Sequence, residues 1–203
     1  KWSREFMKEN DISSPGFKYF NDEWEAKKYL AEMYQEDSSR LFYVKATGLC
    51  GGKGALKASN PEEAMEMVEK MKSFGEAGKV FLIEEGLVGE EFSYYAISDG
   101  ENYKLLGSAQ DNKTVFNFDK GDQTGGMGVI APAKVAEGVE KEVDDGFIGK
   151  AINGMKGIPY LGVLYLGGIK VGEKIFNIEY NARWGDPECQ VVLPGIKSDY
   201  LDL

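Results

Sequence analysis

The chain contains no histidine. That absence removes every mechanism built on an imidazole base, including Ser/His/Asp and Cys/His nucleophilic catalysis. Proton chemistry is left to carboxylates, lysines or a substrate. Cysteine is scarce. Cys50 and Cys189 stand far apart, outside any CxxC or Cys/His spacing, so neither a zinc site nor a disulfide framework is indicated and both read as free thiols. No apolar run approaches the roughly 20 residues of a membrane span, and the opening Lys1-Trp2-Ser3-Arg4-Glu5 lacks a signal-peptide layout. The expectation is a cytoplasmic protein with no membrane partner. Positive charge is in deficit: 24 Lys and Arg face 34 Asp and Glu, a net charge of -10. This argues against a nucleic-acid partner, because phosphate backbones need a basic footprint. An anionic ligand has to be met by local cations.

What is present is globular in kind. The 203 residues, 42% hydrophobic and 12% aromatic, suffice for a core in one large domain or two small ones. The 29% charged residues alternate in sign instead of forming blocks, as on a solvated surface and not in a disordered tail.

Periodicity predicts helix near residues 1–10, extended chain at 17–20, and helix over 22–35 with Asp22 and Glu25 at capping-box spacing. Residues 41–45 read as a buried strand running into a glycine-rich segment, and residues 55–58 as the strand after it. Asn60-Pro61-Glu62-Glu63 starts another helix, with Ala64, Met67, Val68, Met71 and Phe74 as its apolar stripe. Strands follow at 80–83, 92–97 and 104–109, the last two paired across Asp99-Gly100. Residues 111–128 read as a long polar loop. A helix over 139–155, bent near Gly146 and Gly149, precedes a hairpin of 162–171 and 174–181 and then a helical tail.

Two patterns carry chemistry. Gly51-Gly52-Lys53-Gly54 offers backbone N–H groups free of side chains, beside a lysine, as a loop around a phosphate chain requires. It is not a Walker A loop, because Thr47 stands where the first glycine belongs and Gly54 follows the lysine. With strands on both sides it closes a hairpin that can fold over a nucleotide as a flap, and Lys45 ends the preceding strand. Taken alone, the tetrapeptide fits an ordinary flexible hairpin tip equally well. The second pattern is Phe176-Asn177-Ile178-Glu179-Tyr180-Asn181, whose alternation places Asn177, Glu179 and Asn181 on one strand face. Oxygen ligands two residues apart can reach one magnesium ion that draws its other ligands from water and phosphate. A polar solvent face is the alternative.

The order of these features resembles the ATP-grasp superfamily. Within it, Val44-Lys45-Ala46-Thr47-Gly48-Leu49, Gly86-Leu87-Val88-Gly89-Glu90-Glu91, Gln110-Asp111-Asn112-Lys113, Thr124-Gly125-Gly126-Met127-Gly128 and Arg183-Trp184-Gly185-Asp186-Pro187-Glu188 are similar to phosphoribosylamine-glycine ligases. The resemblance implies an α+β ATP-grasp fold, with two α+β subdomains of mainly antiparallel sheet clasping ATP. Residues 1–86 would hold the lid subdomain and flap, and residues 87–203 the catalytic subdomain with the metal site. It implies ATP-dependent joining of glycine to 5-phosphoribosylamine through glycyl phosphate, with magnesium, or manganese in its place.

On these positions Lys45, Gly51, Gly52, Lys53 and Gly54 would meet the ATP phosphates. The backbone from Glu84 and Glu85 to Leu87 would meet adenine, and Glu91, or its neighbour Glu90, the ribose. Glu179 and Asn181 would hold the metal. Asp111, Lys113, Gly125, Gly126 and Arg183 would face substrate. Arg183 and Lys53 would stabilise the reacting anions, and Asp186 would either accept the amine proton or serve as a buried cap of the following helix. Asn112 and Thr114 stand where the family has histidine and arginine, and Trp184 where it has phenylalanine. Two other readings stay open: a ligase for another amine, and a noncatalytic ATP-binding module. The family's flanking domains are expected partners within a longer polypeptide, without which this piece is not expected to complete the reaction.

Overall fold

The computed structural model describes residues 1–50, 53–117, 120–155 and 157–202. The chain divides into two compact units, one of Lys1 and Pro15–Val88, the other of Trp2–Ser14 and Gly89–Leu203. The segment Trp2–Ser14, first in sequence, thus packs with the second unit.

In the first unit, β1 (Phe17–Phe20), β2 (Leu41–Ala46), β3 (Ala55–Ala58) and β4 (Phe81–Gly86) form an antiparallel sheet in the order β1-β4-β2-β3. Helices α1 (Trp2–Glu9, of the second unit), α2 (Glu23–Glu36) and α3 (Pro61–Lys70) begin near the predicted positions. Asp22 Oδ1 accepts from the Glu25 N–H at 2.9 Å and Asn60 Oδ1 from the Glu63 N–H at 2.8 Å, each satisfying one donor that a helix start leaves free. A 3-10 run, Met71–Gly78, continues α3 to β4. One sheet face buries Phe42, Val44, Phe81 and Ile83 against Ala26, Leu30, Ala64 and Val68 of the helices. Strand alternation sends Tyr43, Lys45, Leu82 and Glu84 to the opposite face.

The second unit is a five-stranded antiparallel sheet in the order β11-β10-β5-β6-β9. Its strands are β5 (Glu90–Asp99), β6 (Tyr103–Asp111), β9 (Val129–Ile130), β10 (Leu161–Val171) and β11 (Lys174–Asn181). Residues 111–128 are not one long loop: β7 (Thr114–Phe116) and β8 (Lys120–Gln123) pair as a small hairpin. The predicted helix over 139–155 is three pieces, α4 (Glu140–Val143), a π turn (Asp144–Ile148) and α5 (Gly149–Gly154). The irregular turn contains Gly146, where helical propensity is lowest. One sheet face packs Phe92, Tyr94, Leu164, Leu166 and Ile175 against Met7, Val143, Phe147 and Ile148. The other carries Tyr95, Ala109, Tyr165 and Val192, the last from the four-residue helix α6 (Cys189–Val192); where the sequence predicts a helical tail, only this turn and two short 3-10 turns, Leu193–Gly195 and Tyr200–Asp202, form among the described residues. Among the described residues no helix is long and apolar enough to cross a membrane.

Candidate functional site

The first unit presents its cations from a strand end and a hairpin tip. Residues β2 and β3 pair in register with Lys45 opposite Ala55, so the glycine-rich segment does close a hairpin. Its base is pinned on one side: the Thr47 hydroxyl donates to Val80 O at 2.9 Å, and the Gly48 N–H to Ala77 O at 3.1 Å. A side chain at Gly48 would lie 2.6 Å from the Ala77 backbone, so only glycine allows this approach. Lys53 is exposed and Gly54 half-buried. Gly51 and Gly52 lie outside the described residues. Lys45 makes an ion pair with Glu84, whose side chain is only 2% exposed while that of Lys45 is 21% exposed. Glu85 is exposed, its N–H bonded to Gly16 O at 2.8 Å, and Leu87 is half-buried.

In the second unit, residues far apart in sequence line one depression: Glu91 and Ser93 from β5, Asp111 and Lys113 at and beyond the end of β6, Tyr165 and Gly167 from β10, and Glu179 from β11. Alternation explains the set. Ser93 pairs with Gly167 and Ala109, and Gly167 with Glu179, so these positions share the face opposite the helical core. Glu91 lies on that face two residues before Ser93, whereas Glu90 points to the other. A side chain on Gly167 would sit 3.1 Å from Glu179 Cγ, so glycine leaves the Glu179 side chain its room here.

Lys113 Nζ lies 3.7 Å from the Glu91 carboxylate. Burial raises the Asp111 carboxyl above its usual range, the nearby Glu188 charge adds to this, and Lys113 opposes it. Gly126 arches over that carboxylate at φ 139°, where an added side chain would stand 3.0 Å from both oxygens and 2.6 Å from Pro187. The neighbouring Gly125 has open space around it. Asn112 secures the same loop, its side-chain amide donating to Gly128 O at 3.0 Å while its carbonyl accepts from the Met127 N–H at 2.8 Å.

The pair predicted as metal ligands comes out with a changed frame. Strand β11 carries a bulge between the Gly167↔Glu179 and Gly168↔Asn177 pairs, with Ile178 as the extra residue, and a bulge reverses the alternation beyond it. Asn177 is therefore wholly buried on the core side, not on the face of Glu179 and Asn181 as strict alternation predicts. Glu179 is exposed, Asn181 is half-buried, and the Asn181 amide donates to Glu179 Oε1 at 3.0 Å. Among the described residues no three His, Cys, Asp or Glu cluster as a metal cage. One carboxylate with one amide, open to solvent, fits in donor chemistry a magnesium ion that takes most of its ligands from phosphate and water.

Two predicted residues stand apart from the depression. Arg183 is exposed, its guanidinium donating to Trp184 O at 2.8 Å. Asp186 is exposed and accepts from the Gln190 amide at 2.6 Å. It is thus not the buried helix cap that the sequence also allowed, since its partner is a side chain one turn on. The buried carboxylate of this segment is Glu188, at 3% exposure, which accepts from the Tyr165 hydroxyl at 2.9 Å and from Ser93 at 3.2 Å. Sequence reasoning missed Glu188, Ser93 and Tyr165. Ser93 could have been found by strand alternation from Glu91, but a buried Glu188 has no local signal. Trp184 stacks at a tilt on Tyr95, ring centroids 5.3 Å apart, so the larger aromatic is accommodated.

Comparison with known proteins decides the lineage. The family model for the phosphoribosylglycinamide synthetase ATP-grasp (A) domain matches residues 1–189. The chain belongs to that family. It is 40% identical to the phosphoribosylamine-glycine ligase of Chlorobaculum tepidum over 99% of this chain and 48% of that protein. It is 39% identical to the trifunctional purine biosynthetic protein adenosine-3 of Bos taurus, over 100% of this chain and 20% of that protein. The crystal structure of phosphoribosylamine-glycine ligase from Thermotoga maritima superposes with a TM-score of 0.79 at 32% identity, covering 94% of this chain and 49% of that one. The fold is therefore the ATP-grasp fold, in its mainly antiparallel α+β form. The chain spans about half the length of the bacterial relatives it matches.

Proposed function

We propose that this chain is the ATP-binding part of a ligase that joins glycine to 5-phosphoribosylamine, consuming ATP and yielding glycinamide ribonucleotide, ADP and phosphate in the cytoplasm. The observation that carries the reading is the convergence of Glu91, Asp111, Lys113 and Glu179 on one depression, from positions that the family resemblance assigns separately to ribose, substrate and metal. Within the first unit, Lys45, Lys53 and the Gly51, Gly52 and Gly54 backbone are assigned to the ATP phosphates, and the backbone of Glu84, Glu85 and Leu87 to adenine. Glu91 is assigned to the ribose hydroxyls.

Glu179 and Asn181 would hold magnesium, which when bound neutralises charge on the phosphates. The glycine carboxylate, a poor electrophile as it stands, attacks the γ-phosphorus and displaces ADP. The amine of phosphoribosylamine then attacks the acyl carbon, expelling phosphate and losing a proton. Arg183 is assigned to the glycine carboxylate, because a planar fork of donors matches planar anions. Its exposure leaves it free to turn toward such a ligand. Asp186, also exposed, is the carboxylate assigned to the released proton. Lys113 and the Asp111 carboxylate under Gly126 are assigned to the phosphoribosylamine side, with Gly125 and Gly126 giving the backbone room.

Asn112 and Thr114 support one second reading. Both side chains are engaged with nearby backbone carbonyls where the family has histidine and arginine, which favours a different amine at this loop. The test is ADP release by the full-length protein with glycine and a panel of amines. Release that requires phosphoribosylamine is expected. Release with another amine alone favours the second reading, and Mg-ATP binding without any ADP release would reduce the chain to a nucleotide-binding module.

A further inference from the structure

The bulge in β11 is what separates the buried Asn177 from the outward Glu179 and Asn181, and it is held by residues from the opposite end of the sequence. Arg4 of α1 is 5% exposed. Its guanidinium donates to Asn177 O at 3.1 Å and to Ile178 O at 2.7 Å. Beside it the Asn177 N–H donates to Ser13 O at 2.9 Å. A bulge leaves ladder groups without their partners across the strands, and a buried carbonyl without a donor is costly. Here the two carbonyls at the irregularity are met by one planar fork. A guanidinium suits this task, because its donors diverge in one plane and its charge persists at any physiological pH.

We infer that Arg4 is a positioning residue for the Glu179–Asn181 pair: by clamping the carbonyls of Asn177 and Ile178 it fixes the bulge that turns Glu179 and Asn181 out of the core. It touches no substrate itself. The inference rests on the reading of Glu179 and Asn181 as magnesium ligands. Without the clamp, β11 can regain regular pairing, and a one-residue change of register carries side chains to the other face. The loss falls on the magnesium-dependent part of nucleotide binding and spares the part carried by lysines.

The test uses Arg4→Met, Arg4→Lys, Glu179→Ala and the Arg4→Met/Glu179→Ala double variant in the full-length protein. Calorimetry measures ATP binding with and without magnesium, and a titration gives the magnesium concentration for half-saturation. Arg4→Met is expected to raise that concentration about tenfold, equivalent to about 1.4 kcal/mol, with metal-free ATP affinity unchanged. Arg4→Lys, which keeps the charge but loses the fork, is expected to lie between. On the Glu179→Ala background, Arg4→Met is expected to add less than it does on the parent, since interacting positions are not additive.

An unchanged magnesium requirement in Arg4→Met, with Glu179→Ala raising it, overturns the inference and leaves the metal reading standing. Glu179→Ala without effect overturns the metal reading itself. Where Arg4→Met does not fold, Arg4→Lys decides on the same titration: a raised requirement supports positioning, and lowered thermal stability with an unchanged requirement overturns it.

Discussion

The two units place their polar groups by different means. In the first, Lys45 and Glu84 come from neighbouring strands of one sheet, Tyr43 being directly opposite Glu84, and they pair with each other on its non-helical face. In the second, the depression is assembled from residues as distant as Glu91 and Glu179, and two of its lining residues, Ser93 and Tyr165, bond through their hydroxyls to the buried Glu188 carboxylate. The contrast teaches that a charge in a strand pattern can be read locally only when its partner is local too. Lys45 was legible as a cation, but its engagement with a nearly inaccessible carboxylate was not. That engagement gives it a structural duty besides any contact with phosphate.

The largest effect is expected where the first unit's pair is broken. Lys45→Met removes the Lys45 ammonium from the buried Glu84 carboxylate, and loss of one member of a buried pair costs about 3 kcal/mol, read from urea unfolding. Adding Glu84→Gln is expected to recover most of that stability without restoring ATP binding. Recovery of both would erase the distinction between a locally paired unit and a ligand-directed one.

Next comes Glu188→Ala, which takes the acceptor from the Ser93 and Tyr165 hydroxyls and is expected to cost about 1–3 kcal/mol. Glu188→Gln, which retains an acceptor, should cost less. A double-mutant cycle with Ser93→Ala checks whether these hydroxyls and the carboxylate behave as one network, and strict additivity would contradict that.

The smallest effect is expected at Asp111. Its carboxyl is raised, mainly by burial, so the folded state holds the proton more tightly than the unfolded chain. The contribution is therefore most favourable below the unfolded pKa and is lost as pH rises through the folded one. Asp111→Asn should unfold at a slightly higher temperature than the parent at neutral pH, with the gap closing in acid. A gain in stability with weakened substrate binding marks a residue kept for function. Equal melting at both pH values would show that burial does not strain it.

The sequence by itself determined most of the elements. Apolar spacing and caps gave α2 and α3, because a helix start is satisfied by residues three apart. The Asp99-Gly100 turn and the paired runs 162–171 and 174–181 gave the two hairpins, and the family phrases gave the lineage. Glu91, Asp111, Lys113 and Glu179 were candidates before any fold was known. Only the tertiary structure decided which of them meet, that Asn177 is buried while Glu179 is not, that residues 111–128 hold a hairpin, and that Glu188 is the buried carboxylate where Asp186 lies in solvent. The reason is physical. Helices and turns are fixed by contacts within a few residues, whereas a bulge, a buried acid and its hydroxyl partners are stabilised by groups such as Arg4 or Ser93 that sequence separation conceals.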